Sequence, residues 1–221
     1  MKADIENDYN SKLNSYFGHE RSEIKELLPK TCEMALEVGC GDGTTLKWLK
    51  NSNRCHETYG IEIFQSAALK AEKAVDHLFH GNIENDEIEF LSKKFDVILL
   101  LDVLEHLLDP WIVLKKLVED NLNVNGSIIV SLPNIRHYSA LFPLFFKGEW
   151  TYQKSGILDK THFRFFTKKS CIELFAQSGL KVKRTILVPV DISLKQKLFN
   201  VLTFGLFRNL LAQRYIFLLS K

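Results

Sequence analysis

Residues 35–45 read Ala-Leu-Glu-Val-Gly-Cys-Gly-Asp-Gly-Thr-Thr. An apolar run containing one carboxylate leads into three glycines at alternate positions, and residues suited to a helix start follow. Glycine adopts backbone angles that other residues avoid, and it lets a ligand approach the main chain closely. Asp42 or Thr44 can cap the helix that follows. The stretch therefore predicts a strand, a tight turn and a helix.

The spacing of the glycines narrows the ligands that this turn can serve. Gly39, Gly41 and Gly43 lack the Gly-x-Gly-x-x-Gly spacing of dinucleotide-binding turns, and no Lys-Ser or Lys-Thr follows as in a phosphate loop. The carboxylate of Glu37 would repel a pyrophosphate but suits a cation. The stretch resembles motif I of the class I S-adenosylmethionine-dependent methyltransferases, whose cofactor carries a sulfonium, an ammonium and no phosphate. The resemblance implies that Glu37, Gly39, Cys40 and Gly41 bind this cofactor.

Composition limits the class of protein. The 221 residues, 46% hydrophobic and 25% charged, are enough for one globular α/β domain with a large core. A formal charge of +2 gives no support for a nucleic-acid binder. Four scattered cysteines without a Cys-x-x-Cys pair favour reduced thiols in a cytoplasmic protein. The polar, acidic start predicts no signal peptide, and no apolar run reaches the ~20 residues of a membrane span.

Strands and helices alternate along most of the chain. Apolar runs and their boundaries predict strands at 34–38, 56–61, 77–80, 95–101, 127–132, 181–189 and 214–220, and helices at 44–51, 65–75, 111–121 and 168–178. Alternation of this kind predicts a doubly wound, mostly parallel α/β sheet of seven strands. The last strand follows the sixth without an ordinary crossover helix, which suits the antiparallel last strand of the Rossmann-like class I methyltransferase fold. The resemblance covers nearly all of residues 31–221.

Polar side chains stand where the predicted strands end, and doubly wound sheets bind ligands at that edge. Glu62 follows the glycine turn by about 20 residues, where such folds place a carboxylate that accepts two hydrogen bonds from a ribose diol. A surface glutamate at a strand end is the alternative. Residues 81–84 resemble motif III, with Asn82 in place of the common Asp. The resemblance implies that Asn82 pairs with adenine and that Ile83 packs on its face.

Further cofactor contacts are expected beside these positions. Ile63 follows Glu62, and Leu101 and Asp102 end the most hydrophobic predicted strand. Together with the glycine turn, these residues define one cleft with a carboxylate for the amino-acid end of the cofactor, a carboxylate for its ribose and an amide for its base.

His106 is the first candidate base. It lies in residues 101–107, which resemble the motif after the fourth strand in quinone-ring O-methyltransferases. His106 either acts on the methyl acceptor or packs beneath the cofactor and holds the loop.

His162 is the second candidate base. Residues 158–167, together with 132–134 and 148–150, resemble bacterial methyltransferases associated with surface-glycan biosynthesis. The resemblance implies that His162 faces the acceptor and that Asp159 orients it. A histidine that caps a loop is the alternative.

A metal site is an alternative use of the same region. Asp102, Glu105 and His106 have i, i+3, i+4 spacing, which places them on one face if the segment is helical. With His162 they resemble the metal-binding set of small-RNA 3′-terminal methyltransferases. Here the first carboxylate is one carbon shorter, the long basic surface of an RNA binder is absent, and magnesium prefers more oxygen ligands. The sequence therefore predicts no metal, with this set as the alternative.

Three segments are expected to cover the cleft of a single domain spanning 1–221. Residues 1–30 read as a helical lid, in which Arg21 is either solvated or pairs with a cofactor carboxylate. Residues 134–166, rich in aromatic and basic groups, and the amphipathic 191–212 are expected on the substrate side. The latter either closes the substrate mouth or contacts a membrane surface or partner enzyme.

The predicted function is that of a cytoplasmic S-adenosylmethionine-dependent O-methyltransferase. The resemblance favours a hydroxyl of a nucleotide-linked or lipid-linked sugar as the acceptor, with His162 as the general base. A polyprenylated phenol or quinone precursor is the second acceptor, which the apolar 191–212 stretch would suit. A catalytically silent cofactor-fold protein that serves as a partner or regulator is the alternative class. The residues that argue against it are the intact Glu37, Gly39, Gly41 and Glu62.

Overall fold

Seven strands carry the architecture in the computed structural model, which describes residues 21–189 and 207–221. The strands are β1 (Cys32–Val38), β2 (Cys55–Glu62), β3 (His77–His80), β4 (Phe95–Leu101), β5 (Leu122–Pro133), β6 (Lys181–Pro189) and β7 (Ala212–Ser220). They form one sheet in the order β3-β2-β1-β4-β5-β7-β6.

Helices connect the strands. They are α1 (Thr44–Asn51), α2 (Gln65–Ala71), α3 (Pro110–Lys116), α4 (Tyr138–Lys147), α5 (Lys168–Gln177) and α6 (Arg208–Leu211). Short 3₁₀ turns lie at Ser22–Ile24, Glu89–Ser92 and Leu104–His106, and a π-helical turn, Leu117–Asn121, extends α3. Within the two described ranges, no helix has the length and apolar character that a bilayer crossing requires. Residues 1–20 of the predicted lid and 191–206 of the predicted second insertion lie outside the described residues.

The sheet has the predicted doubly wound, mostly parallel form. Strands β1 to β5 pair in parallel, whereas β7 runs antiparallel to both of its neighbours, β5 and β6. The strand order reverses between β1 and β4, because β2 and β3 extend the sheet in one direction and β4 and β5 in the other. Ligands of doubly wound sheets bind at the carboxyl ends of the strands beside such a reversal.

Both faces of the central strand are buried. Ile98 and Leu100 belong to one apolar cluster, and Val97, Leu99 and Leu101 belong to the cluster on the opposite face. Alternate residues of a strand point to opposite faces, so a continuous apolar run fits a parallel strand covered on both sides. Burial of β4 therefore anchors the sheet and fixes the position of the turn that follows it.

The glycine turn has the backbone geometry that its sequence predicts. Gly39, Gly41 and Gly43 have φ angles of 66°, 58° and 79°, in the left-handed region that glycine adopts without strain. Gly43 itself occupies the N-cap of α1. Asp42 supplies the capping oxygen from one residue earlier, since its Oδ1 accepts hydrogen bonds from the Thr44 amide at 3.1 Å and hydroxyl at 2.6 Å.

Most predicted boundaries lie within two residues of the observed ones, and three elements differ more. Helix α2 ends at Ala71 instead of residue 75. The helix predicted at 111–121 starts at Pro110 and becomes π-helical from Leu117. Strand β5 begins at Leu122, which pairs with Phe95 before an irregularity in the register delays the next pair to Ser127 and Val97.

We expect Leu99→Ala to destabilise the protein by about 2–5 kcal/mol, because it removes a fully buried side chain and leaves a cavity. Urea unfolding followed by circular dichroism measures the change. Val124→Ala is the matched control, since Val124 is 84% exposed, and we expect it to stay within about 0.5 kcal/mol of wild type. Equal stability of the two variants would show that β4 is not the central buried strand.

Candidate active site

The carboxyl ends of β1 and β2 are joined by main-chain hydrogen bonds. The amides of Gly39 and Cys40 donate to the carbonyl oxygen of Ile61 at 2.8 and 3.1 Å. The amide of Gly81, just after β3, donates to the carbonyl oxygen of Glu62 at 3.0 Å. The predicted cofactor residues on three different strands are therefore brought to one edge of the sheet.

Glu62 is buried and fastens the glycine turn to β2. Its Oε2 accepts a hydrogen bond from the Gly41 amide and its Oε1 one from the Phe64 amide, both at 2.8 Å. Burial raises the pKa of this carboxyl, although the two amides oppose the shift. A carboxylate offers about four lone-pair sites, so Glu62 can accept two further hydrogen bonds, as a diol requires. Its burial makes the surface alternative for Glu62 wrong.

Glu37 lies at the same edge with an unsatisfied oxygen. It is 3% exposed, and its Oε2 has no hydrogen-bond partner within residues 21–189 and 207–221. Burial raises the pKa of Glu37 to about 8; Arg21 opposes this shift, and Glu62 adds to it. An unpaired buried carboxyl oxygen costs free energy that a cation placed beside it would recover. The residue therefore fits the positively charged end of a ligand.

Close packing explains why the turn needs small residues. A Cβ on Gly39 would come within 2.8 Å of the Val103 side chain, and a Cβ on Gly60 would come within 2.7 Å of Cys40 Sγ. The Cys40 side chain therefore fills the space beside Gly60, and its backbone is the part that can reach a ligand.

The end of β3 forms a compact turn. Asn82 Oδ1 accepts a hydrogen bond from the Glu84 amide at 2.8 Å, and the Asn82 amide donates to Asp86 Oδ2 at 2.6 Å. The side-chain oxygen of Asn82 is thus engaged in the turn, and its NH₂ group is the donor that a base can use. Ile83 packs against the core beside it, and Ile63 is 47% exposed.

Asp102 is clamped by two arginines. Its Oδ2 accepts from Arg21 Nη2 at 2.6 Å and Arg214 Nη1 at 3.0 Å, and its Oδ1 accepts from Ser131 Oγ at 2.7 Å. Burial alone would raise the pKa of Asp102, but the two guanidinium groups and the hydroxyl hold it below its usual value. Asp102 therefore stays charged, and Arg21 is partly buried instead of solvated.

Two histidines meet where the segment after β4 contacts the long excursion after β5. The rings of His106 and His162 pack edge to face with centroids 4.7 Å apart. Ligand atoms of Glu105, His106 and His162 all lie within 4.8 Å of one another. We call these three residues the imidazole cluster. Asp102 is not part of it, so the one-faced set of Asp102, Glu105 and His106 that the sequence offered is wrong.

The backbone explains that difference. Asp102 has a φ of 58°, which ends β4 in a left-handed turn, and the 3₁₀ turn begins only at Leu104. Asp102 therefore precedes the helical turn and points its carboxylate to the arginines, whereas Glu105 and His106 lie within the turn.

Carbonyl oxygens fix the tautomers of both imidazoles. His106 Nδ1 lies 3.0 Å from the Thr161 carbonyl oxygen, and His162 Nδ1 lies 3.0 Å from that of Ile157. A carbonyl oxygen only accepts, so Nδ1 carries the proton in each ring, and in the neutral ring Nε2 carries the lone pair. Both rings are therefore held with the basic nitrogen defined.

Glu105 is the buried acid of the imidazole cluster. It is 1% exposed, and in the described part of the chain neither of its carboxyl oxygens has a hydrogen-bond partner. Burial, followed by the charge of Asp102, raises the pKa of Glu105 well above its usual value. Its carbonyl oxygen accepts from the amides of Phe163 and Arg164 at 2.9 and 3.1 Å, which ties the loop of His162 to the end of β4.

Asp159 builds the turn that carries His162. Its Oδ1 accepts from the Thr161 amide at 2.9 Å and hydroxyl at 2.8 Å, and its carbonyl oxygen accepts from the His162 amide at 3.0 Å. Thr161 then offers its own carbonyl to His106. The sequence reasoning missed Thr161, although the Asp-x-Thr spacing is typical of an Asx turn. It also missed Arg214, for which no local signal exists.

The imidazole cluster can support two kinds of chemistry. Two imidazoles and one carboxyl could hold a divalent cation, and imidazole ligands suit zinc better than magnesium. The same Nε2 lone pairs could accept a proton from a hydroxyl.

Comparisons with known proteins agree with this fold. A family model described as a methyltransferase domain matches residues 9–185. A ubiquinone biosynthesis O-methyltransferase from Azorhizobium caulinodans is 31% identical over 129 residues, which are 55% of this chain and 47% of that protein. The match thus spans about half the length of this curated relative.

Solved structures resemble the chain in fold. A SAM-dependent methyltransferase from Archaeoglobus fulgidus aligns with a TM-score of 0.62 at 19% identity, covering 87% of each chain. A S-adenosylmethionine-dependent methyltransferase from Mesorhizobium loti aligns with a TM-score of 0.63 at 13% identity, covering 90% of this chain and 96% of that one. The family model covers most of the sequence, and the sheet has the expected antiparallel β7. The chain therefore belongs to the class I S-adenosylmethionine-dependent methyltransferases.

Proposed function

We propose that this protein transfers a methyl group from S-adenosylmethionine to a hydroxyl of a small organic acceptor. The observation that carries the proposal is the position of the imidazole cluster. His106 follows Asp102 by four residues and the ring of His162 packs on it, so two imidazoles lie just beyond the sheet edge that carries the proposed cofactor residues. A hydroxyl acceptor needs such a base, whereas a more acidic acceptor does not.

The chain's own residues would bind the cofactor at that edge. When bound, S-adenosylmethionine supplies a methyl group on a sulfonium. The unpartnered oxygen of Glu37 would accept from the ammonium group, and Glu62 would accept from the ribose hydroxyls. Asn82 and Ile83 would hold the adenine. The remaining cofactor contacts that we propose come from Gly39, Cys40, Gly41, Ile63, Leu101 and Asp102.

The proton of the acceptor would go to His162 Nε2. The Ile157 carbonyl oxygen holds the proton of this ring on Nδ1, so the Nε2 lone pair is defined before the acceptor arrives. His106 would position His162 through the edge-to-face ring contact, and Asp159 through the turn. General-base catalysis typically increases the rate by roughly 10²–10⁴-fold, and alignment of the reacting groups supplies the rest of the rate enhancement.

A sugar hydroxyl is the acceptor that we propose. Trp150 and Tyr152 contact Phe165 with ring centroids 5.2 and 6.4 Å away, and Phe165 lies 6.3 Å from His162. Aromatic faces beside a general base suit stacking on a sugar ring. The second candidate is a prenylated phenol, which is favoured by the relative from Azorhizobium caulinodans because that protein is a ubiquinone biosynthesis O-methyltransferase.

Labelled S-adenosylmethionine incubated with nucleotide-linked sugars, lipid-linked sugars and prenylated catechols tests the acceptor. We expect label in a sugar product that releases a methyl ether on hydrolysis. Label found only in the catechols would favour the prenylated phenol over the sugar as the acceptor. If calorimetry detects no binding of S-adenosylmethionine, both candidates are refuted.

We expect Glu37→Gln to weaken cofactor binding and to remove its dependence on pH. The neutral Glu37 carboxyl must lose its proton to pair with an ammonium group, so wild-type affinity should rise from pH 6 towards its pKa of about 8. Titration calorimetry in buffers of different ionisation enthalpy should detect the released proton at pH 7 for wild type only.

Glu57→Gln serves as the control for that experiment. Glu57 lies on β2 near its amino-terminal end, away from the cofactor edge, so its substitution should leave the pH profile of binding unchanged. A pH-independent affinity in wild type would contradict the role of Glu37.

The stability of the cofactor-free protein gives a second readout for Glu37. Its pKa is raised on folding, so its contribution to stability is present below pH 4.5 and is lost as the pH rises towards about 8. We therefore expect the stability of Glu37→Gln relative to wild type to increase between pH 5 and pH 8, as followed by thermal unfolding.

We expect His162→Ala to lower kcat by roughly 10²-fold or more while S-adenosylmethionine affinity stays within about twofold. His56→Ala is the matched control, since His56 is exposed on β2 far from the cluster. An unchanged kcat would remove His162 from the mechanism.

We expect turnover to survive exhaustive treatment with EDTA and 1,10-phenanthroline, because the proposed base is an imidazole. Elemental analysis of the treated protein verifies that metal has been removed. Activity that is lost and then restored by one divalent cation would instead assign the imidazole cluster to a metal.

A further inference from the structure

Helix α4 (Tyr138–Lys147) is apolar on nearly every side and yet exposed. Ala140 is its buried residue, whereas Phe145 and Phe146 are 77% and 74% exposed and Phe142 is 46% exposed. A helix that is apolar all round is normally covered by protein or by lipid. We therefore expect a protein or lipid surface to cover these exposed side chains.

The exposed rings form one continuous ridge. Ring centroids of Phe142 and Phe146 are 5.8 Å apart, and those of Phe145 and Phe146 are 5.0 Å apart. The loop after the helix adds Trp150 and Tyr152, which are 36% and 55% exposed. Contiguous exposed patches of this kind mark interaction sites, whereas single exposed apolar residues are ordinary.

The segment that carries the ridge is rich in exposed cations. The exposed charged residues of 136–164 are Arg136, Lys147, Glu149, Lys154, Lys160 and Arg164, five cations and one anion. The whole chain is nearly balanced, with 29 basic and 27 acidic residues. Lys147 pairs with Glu149 at 3.8 Å, and Arg164 donates to the Leu108 carbonyl oxygen. The segment that carries the ridge nevertheless has a net positive charge, which complements an anionic surface.

We propose that α4 and the loop to Tyr152 dock on the surface of an anionic lipid bilayer. Phe142, Phe145 and Phe146 enter the boundary between headgroups and acyl chains, and exposed cations of the same segment, such as Lys147 and Lys154, pair with lipid phosphates. A ten-residue helix is about 15 Å long, too short to cross a bilayer, so it lies in the plane of the interface. Trp150 and Tyr152 suit the same depth, because each ring has an apolar body and a polar group.

The chemistry of the ridge favours lipid over a protein partner. Cores of protein interfaces are depleted in lysine, whereas interfacial helices combine aromatic residues with Lys and Arg at their edges. A second copy of this chain would bring five like charges against the same five, which disfavours a symmetric contact.

The docking surface adjoins the imidazole cluster. Trp150 packs on Phe165 at 5.2 Å, and Phe165 lies 6.3 Å from the ring of His162. A bilayer on this face would therefore place membrane-held acceptors beside the proposed base. Docking itself requires neither cofactor nor acceptor, so its test is independent of the proposed function.

Vesicle co-sedimentation of the full chain tests the proposal, with phosphatidylcholine vesicles compared with vesicles that also contain phosphatidylglycerol. We expect partition into the anionic vesicles to exceed that into phosphatidylcholine by at least about tenfold at low salt and to fall as salt rises. Calorimetry with S-adenosylmethionine on the same samples separates failure of docking from failure of the cofactor site.

Two double variants identify the surface. Phe145→Ser with Phe146→Ser should lower partition by about tenfold or more, because it removes the two most exposed rings. Ile112→Ser with Val124→Ser is the matched control, since these side chains are 66% and 84% exposed elsewhere, and it should bind like wild type.

Lys147→Glu with Lys154→Glu should weaken binding to the anionic vesicles, and it decides the question if the phenylalanine variant fails to fold. Wild type that does not sediment with anionic vesicles at low salt overturns the proposal. Loss of a concentration-dependent dimer in the phenylalanine variant, without vesicle binding by wild type, would assign the ridge to a second copy of the chain. A lowered thermal midpoint of that variant, again without vesicle binding, would show that the chain covers the ridge itself.

Discussion

The clamp of Arg21 and Arg214 on Asp102 connects the elements around the active site. Arg21 comes from the segment before β1, Asp102 from the end of β4 and Arg214 from β7, and Ser131 of β5 adds a hydroxyl. A buried carboxylate without such partners would be costly, so the two guanidinium groups decide where this side chain points. The left-handed backbone at Asp102 allows its side chain to reach both arginines, and the chain then continues to Glu105.

The carboxyl groups of Asp102, Glu62, Glu37 and Glu105 differ in their hydrogen-bond partners. Asp102 keeps its charge between two arginines, and Glu62 accepts hydrogen bonds from two backbone amides. Glu37 and Glu105 each have a buried oxygen without a hydrogen-bond partner in the described residues, and burial raises the pKa of both. Groups whose environments push their pKa values apart take different roles. Asp102 therefore stabilises the turn after β4, whereas Glu37 and Glu105 each keep a carboxyl oxygen to which a ligand or a proton can bind.

Local patterns predicted the features that local physics controls. The apolar run of β4 implied a buried central strand, and the alternate glycines implied a left-handed turn, because a few adjacent residues determine each feature. The contact between Asp102 and Arg214 joins residues 112 positions apart, and no local sequence pattern near either residue predicts it. The alternative metal set of four residues does not assemble, because the left-handed turn at Asp102 and the distant arginines direct its carboxylate away from Glu105.

The two parts of the excursion after β5 have different neighbours. Two amides of its later part donate to the Glu105 carbonyl, so the backbone itself sets the position of His162 relative to the end of β4. Its earlier part, α4, packs inward through Ala140 against Ile157 and Leu158 and leaves its aromatic rings outside. A surface bound by those rings would therefore approach the imidazole cluster without disturbing the edge at the carboxyl ends of β1, β2 and β3, because the hydrogen bonds that shape that edge come from these three strands.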